Sequence, residues 1–350
     1  MPDYPDLTLA REDMKRQKDL YRPSSFWDAA SDRIVNELSA RGVEDFRTLP
    51  TALSFFVPTY GAPGGGFSEE QATKMLDYFQ SGLGGGLKPM LSLTQFFSGR
   101  SWALSDYRVL QAADDSRKLP HLHTFSESSV GSPVEHFEFD GRKFSRSSLN
   151  YLLGLALLKK HLDGDVPSTV LEIGGGFGTL GEVLSSAGID GLKYIDIDIP
   201  PTSFVAQYYL GEVLGKGNVA TYAQTVGMAT IDIDALPQAA VLCSWQIEKL
   251  RGKVDLFVNF ISFQEMEPHI VRNYLDHVRR LGARWILLRN MREGKQQRKG
   301  NSVGVETPLL GDEYLAMLDG YELVERNVHP FGYQTVDGFN SELLLLRRKS

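Results

Sequence analysis

The sequence predicts an α/β fold: a mostly parallel sheet carried by residues 149–350, preceded by a mostly helical, loop-rich extension in residues 1–148. Three observations lead there. From Asn150 onward, short apolar runs of strand length alternate with stretches of helical period, the pattern of a parallel sheet covered on both faces. A glycine-rich bend, Gly174-Gly-Gly-Phe-Gly178, stands between the first such strand and the first such helix. Upstream of Asn150 the apolar spacing is helical or irregular, and it is interrupted by Gly/Pro runs.

Composition sets the outer bounds. The 350 residues are 42% hydrophobic and 23% charged, enough apolar material for a sizeable core. The net charge of −7 argues against a general nucleic-acid binder. Cys243 is the single cysteine, so neither an intrachain disulfide nor a cysteine zinc site can form. The first residues lack the apolar core of a secretory signal. The most apolar helical stretch, Leu149–Leu158, is well short of the ~20 residues needed to span a bilayer. The expectation is a soluble cytoplasmic protein with no membrane or nucleic-acid partner; a homodimer is left open.

Taken in order, the first 20 or so residues are charged and read as loosely held. A helix is expected over Ser25–Ala40, where Phe26, Ala30, Ile34 and Leu38 share a face and Gly42 stands at the C-terminal cap. An apolar run from Ser54 ends in a Gly/Pro loop at Gly66, and Ser68-Glu-Glu-Gln71 has the form of a capping box opening a helix toward Phe79. A second glycine run spans Gly84–Gly86. These glycine segments read as surface loops or as hinges of a lid. Residues 98–148 show no single period, and His121, His123 and His136 fall among turn residues.

In the second region, strands are expected at Ser168–Ile173, Lys193–Ile197, Val241–Ser244, Asp255–Phe260, Arg284–Arg289, Tyr321–Val328 and Glu342–Arg347. Helices are expected at Thr179–Ala187, Thr202–Leu214 and Pro268–Leu281, the last with Ile270, Val271, Tyr274, Leu275, Val278 and Leu281 on one stripe, Pro268 in its first turn and Gly282 past its end. Residues 219–238 fit neither pattern and read as an inserted hairpin or loop.

The bend is the candidate cofactor site. Glycines permit positive φ and let a ligand approach the backbone, and an open parallel sheet binds nucleosides beyond the C-terminal end of its first strand. Gly176-Phe-Gly-Thr-Leu-Gly181 satisfies the dinucleotide pattern GxGxxG, which alone is weak. Glu172-Ile-Gly174-Gly-Gly176-Phe-Gly178 satisfies acid-x-G-x-G-x-G. A carboxylate at Glu172 would repel a pyrophosphate but suits the cationic amino and sulfonium groups of S-adenosylmethionine. At the end of the second strand, Asp196 and Asp198 share a face; Asp198, nearer the loop, is favoured as acceptor of both ribose hydroxyls. Ser244 and Trp245, past the third core strand, could flank the adenine, although a tryptophan there is as often core.

With these residues the chain resembles class I S-adenosylmethionine-dependent methyltransferases, and more narrowly the sugar O-methyltransferase family. Ile197–Leu210, Val254–Met266, Tyr21–Trp27 and Gly42–Arg47 carry the narrower likeness. The resemblance implies a Rossmann-like seven-stranded sheet whose last strand runs antiparallel, and methyl transfer to a hydroxyl of a sugar or glycosylated natural product.

Such a transfer is an in-line displacement, and a sugar hydroxyl calls for a general base. Glu265 and His269, after the run Asp255–Phe260, are candidates, with Glu265 also a possible hydroxyl acceptor. His329, at the end of the run Tyr321–Val328, is a third, though a turn is the commoner reading there. His161 and His277 read as helix-surface residues. A divalent metal is left open: Glu265 with Asp196 or Glu306 could supply oxygen ligands, but their spacing is no recognisable signature. Arg292, Lys295, Arg298 and Lys299 form a basic loop that could hold phosphates or simply be solvated. Alternatives to a sugar hydroxyl are another small-molecule acceptor atom or a non-catalytic subunit of the same fold; a nicotinamide dehydrogenase is disfavoured by Glu172.

Overall fold

The computed structural model describes residues 4–82, 87–294, 297–298 and 304–349, with backbone alone at residues 25, 26, 29 and 69. Its centre is a sheet whose seven main strands are β1 (Thr169–Ile173), β2 (Lys193–Asp198), β3 (Ala239–Cys243), β4 (Leu256–Phe260), β5 (Trp285–Met291), β6 (Tyr321–Asn327) and β7 (Asn340–Arg348). They lie in the order β3-β2-β1-β4-β5-β7-β6, with a two-residue strand Val219–Ala220 beyond β3 and Tyr333–Gln334 beside β7. Strands β1 to β5 pair in parallel, and β7 pairs antiparallel with both β5 and β6. This is the expected Rossmann-like sheet with its last strand reversed. Every residue of β3 and β4 is buried, as sheets covered on both faces require.

The helices, in chain order, are α1 (Pro5–Met14), α2 (Ser25–Arg41), α3 (Pro50–Phe55), α4 (Glu69–Gly82), α5 (Leu87–Phe97), α6 (Arg100–Ala113), α7 (Arg146–Lys159), α8 (Thr179–Ser185), α9 (Thr202–Leu214), α10 (Tyr222–Thr225), α11 (Pro268–Arg280) and α12 (Gly311–Met317). Helix α11 buries Val271, Tyr274, Leu275 and Val278 of the expected stripe; Leu281 is buried just past its end, and Ile270 is half-buried where it lines a cavity. Gly42 caps α2 at φ 91°. Both reciprocal bonds between Ser68 and Gln71 form at the start of α4. The place expected for the Phe26 side chain, like Gly84–Gly86, lies outside the described residues.

Three expectations are corrected. Residues 4–20 are not loose: α1 buries Leu7, Ala10 and Met14, an i, i+3, i+7 stripe hidden among charges, and Tyr222 Oη donates to Asp13 at 2.7 Å. Residues 98–148 contain α6, which buries Ala103, Tyr107 and Leu110, and a hairpin of Phe137–Phe139 with Arg142–Phe144. Residues 219–238 form no hairpin; they hold the edge strand, α10, and Ile231–Asp232 paired in parallel with Leu250–Arg251.

Extension and sheet share one core. Phe46, Leu49 and Phe56 from the extension belong to the same hydrophobic cluster as Phe177, Leu180 and Leu210. The ring of Phe46 meets Phe177 at 5.4 Å between centroids. Among the described residues no helix is long and apolar enough to cross a membrane.

Candidate functional site

Strand order reverses between β1 and β4, and a solvent-open cavity lies over the C-terminal ends of β1, β2 and β4. That is where an open α/β sheet leaves a crevice. Gly174, Gly176 and Asp198 line it, as do Ser244 and Glu265.

The bend is shaped from beneath. Gly174, Gly176 and Gly178 sit at φ 72°, 64° and 91°, conformations costly for any residue with a Cβ. Gly175 is required for another reason: a Cβ there would lie 2.6 Å from Asp196 Oδ1 and 2.8 Å from Glu172 Oε2. Two carboxyl groups thus press against the underside of the turn. Its amides answer them: Gly175 N–H donates to Asp196 Oδ1 and Gly176 N–H to Asp198 Oδ2, both at 3.2 Å. Glu172 accepts from Tyr151 Oη at 2.7 Å and from Tyr194 Oη at 2.6 Å.

Among the described residues no lysine or arginine pairs with Glu172, Asp196 or Asp198. Burial of these acids without a counter-ion pushes Glu172 and Asp198 up to about 7. Burial, with the repulsion of the other two, holds Asp196 well above the usual carboxylate range. Asp196 Oδ2 has no hydrogen-bond partner. Leaving such an atom buried is costly, and the arrangement as a whole is an electrostatic complement for a cation.

The roof comes from the extension. Leu20, Arg22, Pro23 and Trp27, with Phe55 and Phe56, line the cavity from above. Ser244 Oγ donates to the carbonyl of Tyr21 at 2.7 Å, and Trp27 Nε1 donates to Glu265 Oε2 at 2.9 Å. Tyr21 Oη is itself tied to Glu248 at 2.9 Å. At the end of β4, Ile261 faces the cavity at φ 71°. A β-branched residue so placed stores about 1–3 kcal/mol of strain, a feature that clusters at working sites.

The structure therefore brings Gly174, Gly176, Asp198, Ser244 and Glu265 to one cavity and leaves the other sequence candidates outside its lining. Glu172 lies fully buried beneath the turn, so it supports the bend instead of touching the space above it. Gly178 starts α8 and faces Leu210. Trp245 is buried in the core of the opposite sheet face, edge-on to Tyr222, because the turn after β3 directs Ser244 toward the roof and Trp245 away from it. His269, in the first turn of α11, and His329, past β6, are exposed. In the basic loop, Arg292 Nε is bonded to the buried Glu342 at 2.8 Å; Lys295 and Lys299 lie outside the described residues. No group of three or more His, Cys, Asp or Glu residues able to hold a metal occurs among the described residues.

The roof residues were missed as site residues. Tyr21–Trp27 contains three aromatics and a proline beside a helix start, but nothing local says which cavity such a segment covers. Asn150 and Tyr151 were hidden in a helix apolar on all sides.

No family model matches the chain, and no curated protein matches it. Solved structures do. Magnesium protoporphyrin IX methyltransferase from Synechocystis PCC 6803 with bound S-adenosylmethionine matches at 16% identity and a TM-score of 0.39, over 58% of this chain and 81% of that one. The mitomycin 7-O-methyltransferase MmcR matches at 12% identity and 0.36, over 100% and 74%. The CcbJ methyltransferase from Streptomyces caelestis matches at 12% and 0.40, over 58% and 95%. Likeness at this level decides nothing about activity, which has to be read from the residues of the site.

Proposed function

We propose that the chain is an S-adenosylmethionine-dependent O-methyltransferase acting on a hydroxyl of a small molecule, a sugar or a glycosylated natural product. The observation that carries the cofactor is the bare glycine bend backed by three carboxyl groups with no cation of their own. A pyrophosphate would meet repulsion there. A sulfonium nucleoside with an amino group would supply the positive charge that the acids lack, and Asp198, which lines the cavity at the strand end, would accept from two ribose hydroxyls. When bound, that cofactor supplies an electrophilic methyl group.

The chain's residues do the rest. The glycine bend and the roof segment hold the reactants in line, an arrangement worth up to ~7–11 kcal/mol in favourable cases. Glu265 is the candidate base: it lines the cavity, and the Trp27 indole fixes one of its oxygens. It would take the proton of the acceptor hydroxyl as the methyl–oxygen bond forms and the methyl–sulfur bond breaks, the cofactor leaving as a neutral thioether. His269 and His329, exposed and outside the lining, have no part in this reading. The sugar as acceptor rests on the resemblance carried by Tyr21–Trp27, Ile197–Leu210 and Val254–Met266.

Isothermal titration of the protein with S-adenosylmethionine and, separately, with NAD tests the reading. Heat is expected with the first alone. Binding of NAD without S-adenosylmethionine would overturn it.

A further inference from the structure

Pro58 and Ser147 line the cavity, and close to each in the chain stands a member of a second polar cluster. Arg146, the first residue of α7, has its guanidinium carbon 5.5 Å from the ring centre of Tyr60 and 5.1 Å from that of Tyr333. One of its nitrogens donates to the carbonyl of Thr59 at 2.7 Å. Behind it, the fully buried Arg289 donates to Asn150 Oδ1 at 3.1 Å and to the carbonyl of Phe331 at 2.8 Å, and its Nε has no partner. Asn150 also lines the cavity.

Two guanidinium groups therefore stand together, and among the described residues neither forms an ion pair. The acids nearby are otherwise engaged. Asp106 accepts from Tyr60 Oη at 2.5 Å, and Glu135 accepts from the backbone N–H of Tyr60 and Gly61 at 2.6 and 2.9 Å. Burial raises both carboxyls, Glu135 to about 7, against the pull of the Arg146 charge, so each is a partial counter-charge to that guanidinium and not its ion-pair partner. Tyr60, Asp106, Arg146 and Tyr333 are all partly exposed, so solvent reaches the cluster. A guanidinium has five N–H donors in a planar fork, the geometry with which it recognises a carboxylate or phosphate by paired hydrogen bonds.

We infer that Arg146, clasped between Tyr60 and Tyr333 one residue from the cavity lining, receives an oxyanion carried by the acceptor, a carboxylate or a phosphate ester. The protein thereby selects acidic acceptors over neutral ones. The inference names the acceptor class of the reaction proposed above and rests on that reading. Arg289, behind Arg146, adds positive field and orients Asn150 toward the reacting space.

The test uses the full chain loaded with S-adenosylhomocysteine, titrated with glucuronate, glucose 6-phosphate and glucose. At least one anion is expected to bind about tenfold or more tighter than glucose. That preference should vanish in Arg146→Gln and survive in part in Arg146→Lys, while all three proteins bind the nucleoside equally. Glucuronate and glucose 6-phosphate arms tell carboxylate from phosphate. Equal binding of glucose and both anions, no anion binding at millimolar concentration, or an unchanged preference in Arg146→Gln would each overturn the inference. Loss of nucleoside binding by the wild type would instead overturn the cofactor reading. Should Arg146→Gln fail to fold, Arg146→Lys and the weakening of anion binding by added salt in the wild type decide the matter.

Discussion

The floor and the roof of the cavity are held by different means. The floor is one continuous stretch, Thr169–Asp198, in which backbone amides of the bend grip two carboxyl groups of the neighbouring strand β2. The roof is assembled from segments far apart in the chain and is tied down by side-chain contacts such as Trp27 to Glu265 and Tyr21 to Ser244 and Glu248. Each such bond is worth only about 0.5–3 kcal/mol net. Under the proposed function, the floor is the part that selects the charge and shape of the cofactor. The roof adds to its bonds the packing of Phe56 into the shared core, and under the proposed function it is the side that faces the acceptor. On this division, floor substitutions change cofactor affinity and roof-facing substitutions change turnover.

The largest effect should come where the two meet. Glu265→Gln keeps the shape and the indole contact but removes the proton acceptor, so turnover should fall by ~10²–10⁴ with cofactor affinity nearly unchanged. His269→Ala and His329→Ala should leave both constants close to wild type. Steady-state rates with a methyl acceptor, alongside calorimetry, measure this. A Glu265→Gln enzyme of near-normal rate would break the division at its junction.

Next in size is a pure floor effect. Asp198→Asn removes the charge that would accept from a ribose diol, and charge-assisted hydrogen bonds of ~1.5–3 kcal/mol imply a loss of cofactor affinity of about 100-fold. Far-ultraviolet circular dichroism should stay unchanged. If affinity is kept while turnover drops, Asp198 serves the roof and the assignment of roles is reversed.

The same contrast explains what could be read from the sequence. The strands of the floor were legible to within a few residues because each is a short apolar run beside a turn, and the bend because only glycine tolerates its φ values. The role of Glu172 was legible only as charge. Its neighbours Tyr151 and Tyr194, which bury it, come from another helix and another strand. Gly175 looked like a filler between motif glycines, yet the two carboxyls below it are what exclude a side chain. Roof residues carry no local signal at all. Trp27 acquires meaning from Glu265, 238 positions away. Helix α1 escaped notice because three small or flexible apolar residues in a charged stretch make a weak stripe until α10 covers it.

The smallest effect is the sharpest on the floor. Glu172 and Asp198 ordinarily titrate at 4.5 and 3.8, but burial holds both at about 7 in the unliganded fold. The folded chain therefore binds more protons than the unfolded one between those ordinary values and about 7. Stability contributed by these two groups is present at low pH and declines as pH rises through that window, then levels off above about 7. A cationic nucleoside has the opposite preference, since it needs the carboxylates ionised. Its affinity should rise by about tenfold between about pH 6 and about pH 8 if one such group must lose its proton on binding. Asp198→Asn should flatten the rise. Calorimetry in buffers of different ionisation heat would register proton release at the lower pH. A wild-type affinity that is level across this range would mean that the acids below the bend are already ionised, or do not sense the ligand, and that the floor does not choose its cofactor by charge.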